Sequence, residues 1–394
     1  MKALVFERSL PRYAAARVAG TLQPGAGSRV GPLRLIDTDE PSLPGPGWQR
    51  VRPLLSGICG SDLSTVDGHS SRYFEPIVSF PFVPGHEVVG LLDDNERVVI
   101  EPVLGCAARG IVPLCIACAA GQTGNCQHIA FGHLSPGLQT GYCTDTGGGW
   151  SGALVAHATQ LHPVPEALSD EAAVMVEPTA CAVHAALAAA GPSGDLSGAT
   201  VVVLGAGTLG VCTVAALRSL ALAGTLIVAA KHPEQRTLAQ RLGATVVAAP
   251  EEVGRAVRRA TRSLGVGSHL TNGADVVVDC VGSAESLAES LSVVRPKGRV
   301  VLVGMPGRVS IDLTPLWHRE IELVGAYAYG VERGGPRTFA LAMDLVAEAD
   351  LGRLVSARYP LERYTEAIEH AATAGRRGAV KIAFDLRGPL RRAR

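Results

Sequence analysis

The chain has 394 residues, 47% of them hydrophobic and 4% aromatic, with 36 basic side chains against 36 acidic ones. That length exceeds what one hydrophobic core usually supports, so two domains are expected. The balanced charge excludes a partner held by bulk electrostatics, nucleic acid above all, and no apolar run reaches the roughly 18 residues of a membrane span. The opening stretch MKALVFERSL has a charge at position 7 and no signal-peptide core, so the cytoplasm is the expected location. Nine cysteines in such a chain point to metal sites or free thiols rather than disulfides.

Residues 1–165 carry short β-branched runs (EVVGLL, RVVIEPV) and turn-rich stretches such as PSLPGPGW, which predicts an irregular β-rich region with long loops. Residues 10–30 carry few signals and read as an insertion or surface loop. Two later stretches hold chemistry-bearing side chains. SGICGSD supplies Cys59, Ser61 and Asp62, and PFVPGHEVVG supplies His86 and Glu87. Alone, each reads equally well as core or surface. Together they make a Cys/His/carboxylate set, and three protein ligands with an open position is the pattern of a catalytic zinc. LCIACAAGQTGNC then places Cys115, Cys118 and Cys126 at metal-ligand spacing, where a closed zinc site needs a fourth ligand.

The pattern changes near residue 165. LSDEAAVMVEPTACAVHAALAAAG predicts a helix with Ser169 as N-cap and acids in its first turn. ATVVVLGAGTLGVCTVAALRSLALAG reads as strand, Gly-rich turn and helix; TLIVAA, TVVAA, ADVVVDCVG, RVVLVG and IELVGAY read as further buried strands. Apolar strands alternating with helices predict a parallel sheet covered on both faces. Beyond about residue 330 come a helical stretch, TFALAMDLVAEADLG, a last strand, AVKIAFDL, and the solvated tail RGPLRRAR.

Gly205, Gly207 and Gly210, with Thr208 and Leu209 between them, form G-x-G-x-x-G after an apolar strand and before a helix, the setting of a dinucleotide-binding turn. An NAD site would carry an acid at the end of the second strand, to bond the ribose 2′-hydroxyl. Ala230 stands there, and Lys231, His232 and Arg236 follow. A 2′-phosphate would not be repelled and cations could pair with it, so NADP is favoured, with NAD the alternative.

The order GICGSD, PGHE, cysteine cluster, VEP, GAGTLG resembles the zinc-dependent medium-chain dehydrogenase/reductase family, that of alcohol, polyol, threonine and glucose dehydrogenases. DCVGSAESLAESLSVVRPKGRVVLVGMPG (279–307) and GAVKIAFDL share the likeness, which therefore covers nearly the whole chain. It implies an α/β protein: a GroES-like β-rich catalytic domain over 1–177 with a structural zinc lobe at about 102–130, a Rossmann doubly wound parallel-sheet domain over 178–326, and a return of 327–394 to the first domain.

The resemblance also implies roles. Cys59 and His86 would bind a catalytic zinc, and either Glu87 or Glu177 would complete the site. Asp62 would accept the far ring N–H of His86, and Ser61 would hand on the substrate proton. Many members carry a relay histidine five residues after the catalytic cysteine; Ser64 stands there, and the nearby His69 is expected to be merely exposed. The family's lobe cysteine three residues before Cys115 is replaced by Val112. Cys106, across a longer loop that costs little in closure entropy, is then the fourth ligand, against completion by His128 or water, or no metal at all. Cys143, Cys181, Cys212 and Cys280 read as small core residues.

The expected activity is hydride transfer between NADP(H) and a secondary alcohol or ketone, a polyol or a sugar-like substrate, by a zinc-dependent homodimer or homotetramer that has no nucleic-acid or membrane partner. Glu177-Pro178 points to the polyol and glucose branch. The alternatives are a metal-free NADPH-dependent reductase of activated alkenes, which has no use for the four candidate ligands, and a non-enzymatic NADP-binding sensor.

Overall fold

The β-branched runs of the first 165 residues form strands, as their composition predicts. The computed structural model describes residues 1–267, 269–332 and 335–388. The chain divides into one unit of Met1–Glu177, Arg333–Phe339 and Asp350–Arg394, and another of Pro178–Glu332 and Ala340–Ala349.

In the first unit the main sheet runs Val355–Tyr359, Lys381–Asp385, Trp48–Gly57, Val88–Leu91, Arg97–Ile100, Leu161–Pro163. Leu154–His157 pairs with the first half of the long Trp48–Gly57 strand. The last strand, read in the sequence as AVKIAFDL, lies antiparallel to residues 55–57, so a segment more than 300 residues away supports the backbone that leads into Cys59. One core gathers Val51, Val88, Val98, Ile100 and Leu154; another gathers Leu4, Phe6, Phe82, Trp150, Ile382 and Phe384. Each such side chain contributes about 1.5–3 kcal/mol by leaving water.

Residues 10–30 are not a loop. They form the helix Leu10–Leu22 and a further turn, Gly27–Val30. The YAAARVAG stretch is alanine-rich, and alanine is the best helix former. Its small residues Ala16 and Gly20 face inward, and a Cβ at Gly20 would meet the Asp67 side chain at 2.5 Å. The buried Asp67 carboxylate accepts the backbone N–H of Gly25 at 2.7 Å and of Gly27 at 2.9 Å, which ties the insertion to the end of the Gly60–Val66 helix.

The helix predicted from Ser169 onward is two helices, Asp170–Ala173 and Val176–Ala190. Ser169 caps the first, its hydroxyl oxygen accepting from the Ala172 N–H at 3.2 Å. In the second unit six strands lie in the order Val246–Ala248, Thr225–Ala229, Thr200–Leu204, Ala274–Asp279, Val294–Leu302, Glu322–Gly325, every neighbouring pair parallel. Val201, Val202, Val203, Ile227, Val277 and Val300 are wholly buried, as a sheet covered on both faces requires. The order reverses between Thr200–Leu204 and Ala274–Asp279, and such a switch point is where doubly wound sheets bind ligands. Among the described residues no helix is long and apolar enough to cross a membrane.

Candidate active site and metal lobe

Strand register brings the two ligand-bearing stretches together. Ser56 pairs with Val88 across the sheet, and the Gly57 N–H donates to the Glu87 carbonyl at 2.8 Å. Cys59 therefore leaves its strand beside His86 and Glu87. It is also the N-cap of the Gly60–Val66 helix, where Asp62 accepts the Cys59 N–H at 2.9 Å. The other Asp62 oxygen lies 3.4 Å from His86 Nδ1, with both side chains buried. Burial opposes the charged imidazole, but Asp62 and Cys59 raise its pKa well above the ordinary value. A metal at this place would displace that proton.

Glu87 has a different partner. Its carboxylate is paired with Lys381 Nζ, and both side chains are almost wholly buried. Lys381 also donates to the Ile58 carbonyl at 3.3 Å. Burial works against its ammonium, but the charges of Glu87, Cys59 and Glu177 more than offset this and raise its pKa. Glu177, buried in the first turn of Val176–Ala190, thus shares the surroundings of Cys59 and Glu87. A soft thiol beside an imidazole whose Nδ1 faces Asp62 is a donor set that fits zinc. Ser61 and Ser64 are half-buried, and His69 is exposed.

The lobe cysteines converge. The sulfurs of Cys106, Cys115, Cys118 and Cys126 all lie within 4.8 Å of one another. Backbone N–H groups point at them: Cys106 to Cys118 at 3.4 Å, Cys115 to Cys106 at 3.5 Å, Cys118 to Cys115 at 3.4 Å and His128 to Cys126 at 3.4 Å. Four sulfurs with donors to spread their charge fit a closed tetrahedral zinc. Val112 is 90% exposed and outside the cluster, and His128 Nδ1 is 3.4 Å from Cys106 Sγ. Sequence reasoning missed the wholly buried Arg109 beneath the lobe. It donates to the carbonyls of Leu104 and Phe131 at 3.0 Å and also to that of Gly137. Cys143 and Cys212 are buried, while Cys181 and Cys280 are half-buried.

In the second unit each glycine of the turn has its own reason. Gly205 has φ +91°, and Gly210 is so close to the Gly205 carbonyl oxygen that a Cβ would lie 1.9 Å from it. Gly207, the residue before the Thr208–Ser219 helix, has nothing within 4 Å of where a Cβ would stand. That open cradle at a helix N-terminus fits a pyrophosphate. Thr208 and Leu209 are half-buried in the first turn. Ala230 is wholly buried just past the second strand, Lys231 is exposed, and His232 is half-buried. Arg236 Nε donates to the Ala230 carbonyl at 2.9 Å.

Comparison with known proteins gives the same two halves. The alcohol dehydrogenase GroES-like domain family matches residues 45–166, and the zinc-binding dehydrogenase family matches residues 208–348. The chain belongs to the zinc-dependent medium-chain dehydrogenase family. Sorbitol dehydrogenase of Arabidopsis thaliana is 28% identical over 87% of this chain and 89% of its own. A zinc-binding dehydrogenase of Sinorhizobium meliloti 1021, solved with NADP, matches 90% of this chain and 95% of its own at a TM-score of 0.68 and 25% identity. An alcohol dehydrogenase of E. coli CFT073, solved with NADH, covers 98% of this chain and 99% of its own at a TM-score of 0.72 and 21% identity. The fold is thus the GroES-like domain with a Rossmann-type sheet. The chain is an oxidoreductase of CH–OH groups that uses zinc and a nicotinamide cofactor.

Proposed function

We propose that this dehydrogenase moves hydride between NADP(H) and a secondary alcohol or polyol, with the chemistry at Cys59 and His86. The observation that carries this reading is the strand register that sets Cys59 beside His86 and Glu87, with Asp62 facing the imidazole. Zinc held there would act as a Lewis acid on the substrate oxygen and favour its alkoxide. Asp62 fixes the His86 tautomer, and Ser61 takes the alcohol proton. The Glu87 carboxylate is engaged by Lys381, which supports Glu177 as the acidic ligand and Glu87 as the residue behind it. The lobe thiols Cys106, Cys115, Cys118 and Cys126 hold a second, structural zinc.

The cofactor choice rests on this chain's own residues, since one solved neighbour holds NADP and another NADH. Ala230 offers no carboxylate to a ribose 2′-hydroxyl, and the Arg236 guanidinium lies against the end of that strand. Both features favour a 2′-phosphate. The sorbitol dehydrogenase relative supports a polyol substrate. The edge strand Glu322–Gly325 carries Leu323, 46% exposed, with Trp317 77% exposed nearby in the chain, which supports a homo-oligomer. All nine cysteines are unpaired, as in a reducing compartment, and this supports the cytoplasm.

The test is NADPH formation from D-sorbitol and a panel of secondary alcohols, before and after a chelator that reaches the exposed metal. Turnover that disappears on chelation and returns with zinc is expected. Turnover that resists complete removal of metal would overturn the zinc reading.

A further inference from the structure

Tyr142 belongs to none of the motifs used above. It follows Gly141, whose φ is +89°, and a Cβ at Gly141 would stand 3.1 Å from the Gly85 carbonyl oxygen. The loop therefore packs directly on the backbone that leads into His86. That contact carries the Tyr142 ring into the site, with its centroid 5.2 Å from Phe82 and 6.0 Å from His86. The hydroxyl donates to Asp62 Oδ1 at 3.3 Å, the same oxygen that faces His86 Nδ1. It also lies 3.3 Å from Thr65 Oγ1.

The direction of the Tyr142–Asp62 bond is fixed by the chemistry of its partners. An ionised Asp62 only accepts, so the phenol O–H points at Oδ1. Thr65 has a single hydroxyl proton, and its oxygen sits 2.9 Å from the Ser61 carbonyl, the back-bonded geometry of a helix interior, and 2.9 Å from Ser70 Oγ. Burial and the Asp62 charge keep the phenol protonated, so this arrangement is stable at neutral pH.

We propose that Tyr142 is a positioning residue of the catalytic set, locking the Asp62 oxygen that orients His86. It rests on the assignment of a catalytic zinc to Cys59 and His86. Outer partners of this kind change metal affinity by about 10- to 100-fold, because a loosened carboxylate no longer holds its histidine at the angle the metal needs.

The experiment is the release of zinc from the zinc-loaded full chain to a colorimetric chelator, with Cys59→Ala used to assign the faster phase. Tyr142→Phe keeps the ring and removes only the O–H. It is expected to release the Cys59-site zinc about tenfold faster and leave the lobe phase unchanged, which serves as the internal control for the fold. On an Asp62→Asn background the same change is expected to add little, because it acts through Asp62. Unchanged release from Tyr142→Phe overturns the proposal, as does faster release from both sites, which marks a packing role. If wild-type protein releases a single zinc and Cys59→Ala does not alter it, the catalytic-metal assignment fails, and the role of Tyr142 fails with it.

Discussion

The ammonium of Lys381 is paired with the Glu87 carboxylate inside the first unit, where neither side chain is more than 2% exposed. Neither charge has water to fall back on. Lys381→Met leaves a buried carboxylate without its counter-charge, and breaking a buried pair this way costs about 3–5 kcal/mol. Urea denaturation should show that loss. Adding Glu87→Gln should recover much of it, and a single variant as stable as wild type would mean that the pair is idle.

Cys106 stands in the lobe at the place of the absent cysteine, so Cys106→Ser is expected to drop zinc from two ions per chain to one. Thermal unfolding should begin at lower temperature, since a structural zinc contributes folding energy directly. Val112→Ser, at a 90% exposed position, is the matched control and is expected to change neither. Metal content by mass spectrometry decides between Cys106 and completion of the site by another group.

Cofactor preference is expected to follow Ala230 and Arg236. Ala230→Asp places a carboxylate where the ribose 2′-hydroxyl would be bonded and should shift the NADP/NAD ratio toward NAD. Arg236→Ala removes a charge-assisted contact and is expected to raise KM for NADP about tenfold or more, with little effect on NAD. An unaltered ratio in both variants would displace the proposed 2′-phosphate site.

Glu101 gives a pH dependence. It is buried, takes a forked pair of hydrogen bonds from Arg337, the closest at 2.8 Å, and lies 3.0 Å from His162 Nε2. Burial pushes its pKa up, but His162 and Arg337 outweigh this and hold it below the ordinary 4.5. A carboxyl whose pKa is lower folded than unfolded contributes stability above the unfolded value. It loses that stability as pH falls through the folded one. Urea midpoints should therefore decline with acid below about 4.5, and Glu101→Gln should flatten that decline while being less stable near neutrality.

Much of this molecule was legible in its sequence, because the signals were local. The strand before Gly205, the three glycines and the helix after them lie in one short stretch, and the spacing of Cys115, Cys118 and Cys126 is a metal signature by itself. Cys106 needed only the observation that a longer loop is cheap. What stayed hidden depends on contacts across the chain. Lys381 reads as a polar residue in an alternating strand, and only the pairing of residues 55–57 with 383–385 brings it under Cys59. Tyr142 and Arg109 sit in irregular loops, where period and propensity say nothing about direction. The helix at Leu10–Leu22 was missed because its buried positions are Ala16 and Gly20 while Leu10, Val18 and Leu22 are exposed, which leaves little amphipathic contrast, although the alanines themselves were the available signal.

The central claim is that the chemistry lies at Cys59 and His86 and not at the four-thiol lobe. The most direct measurement is zinc content together with NADP-linked turnover, in wild-type protein and in Cys59→Ala, across polyols and secondary alcohols. Two zinc ions and turnover are expected for wild type, and one zinc ion with turnover abolished for the variant. A Cys59→Ala protein that keeps the wild-type rate would contradict the claim.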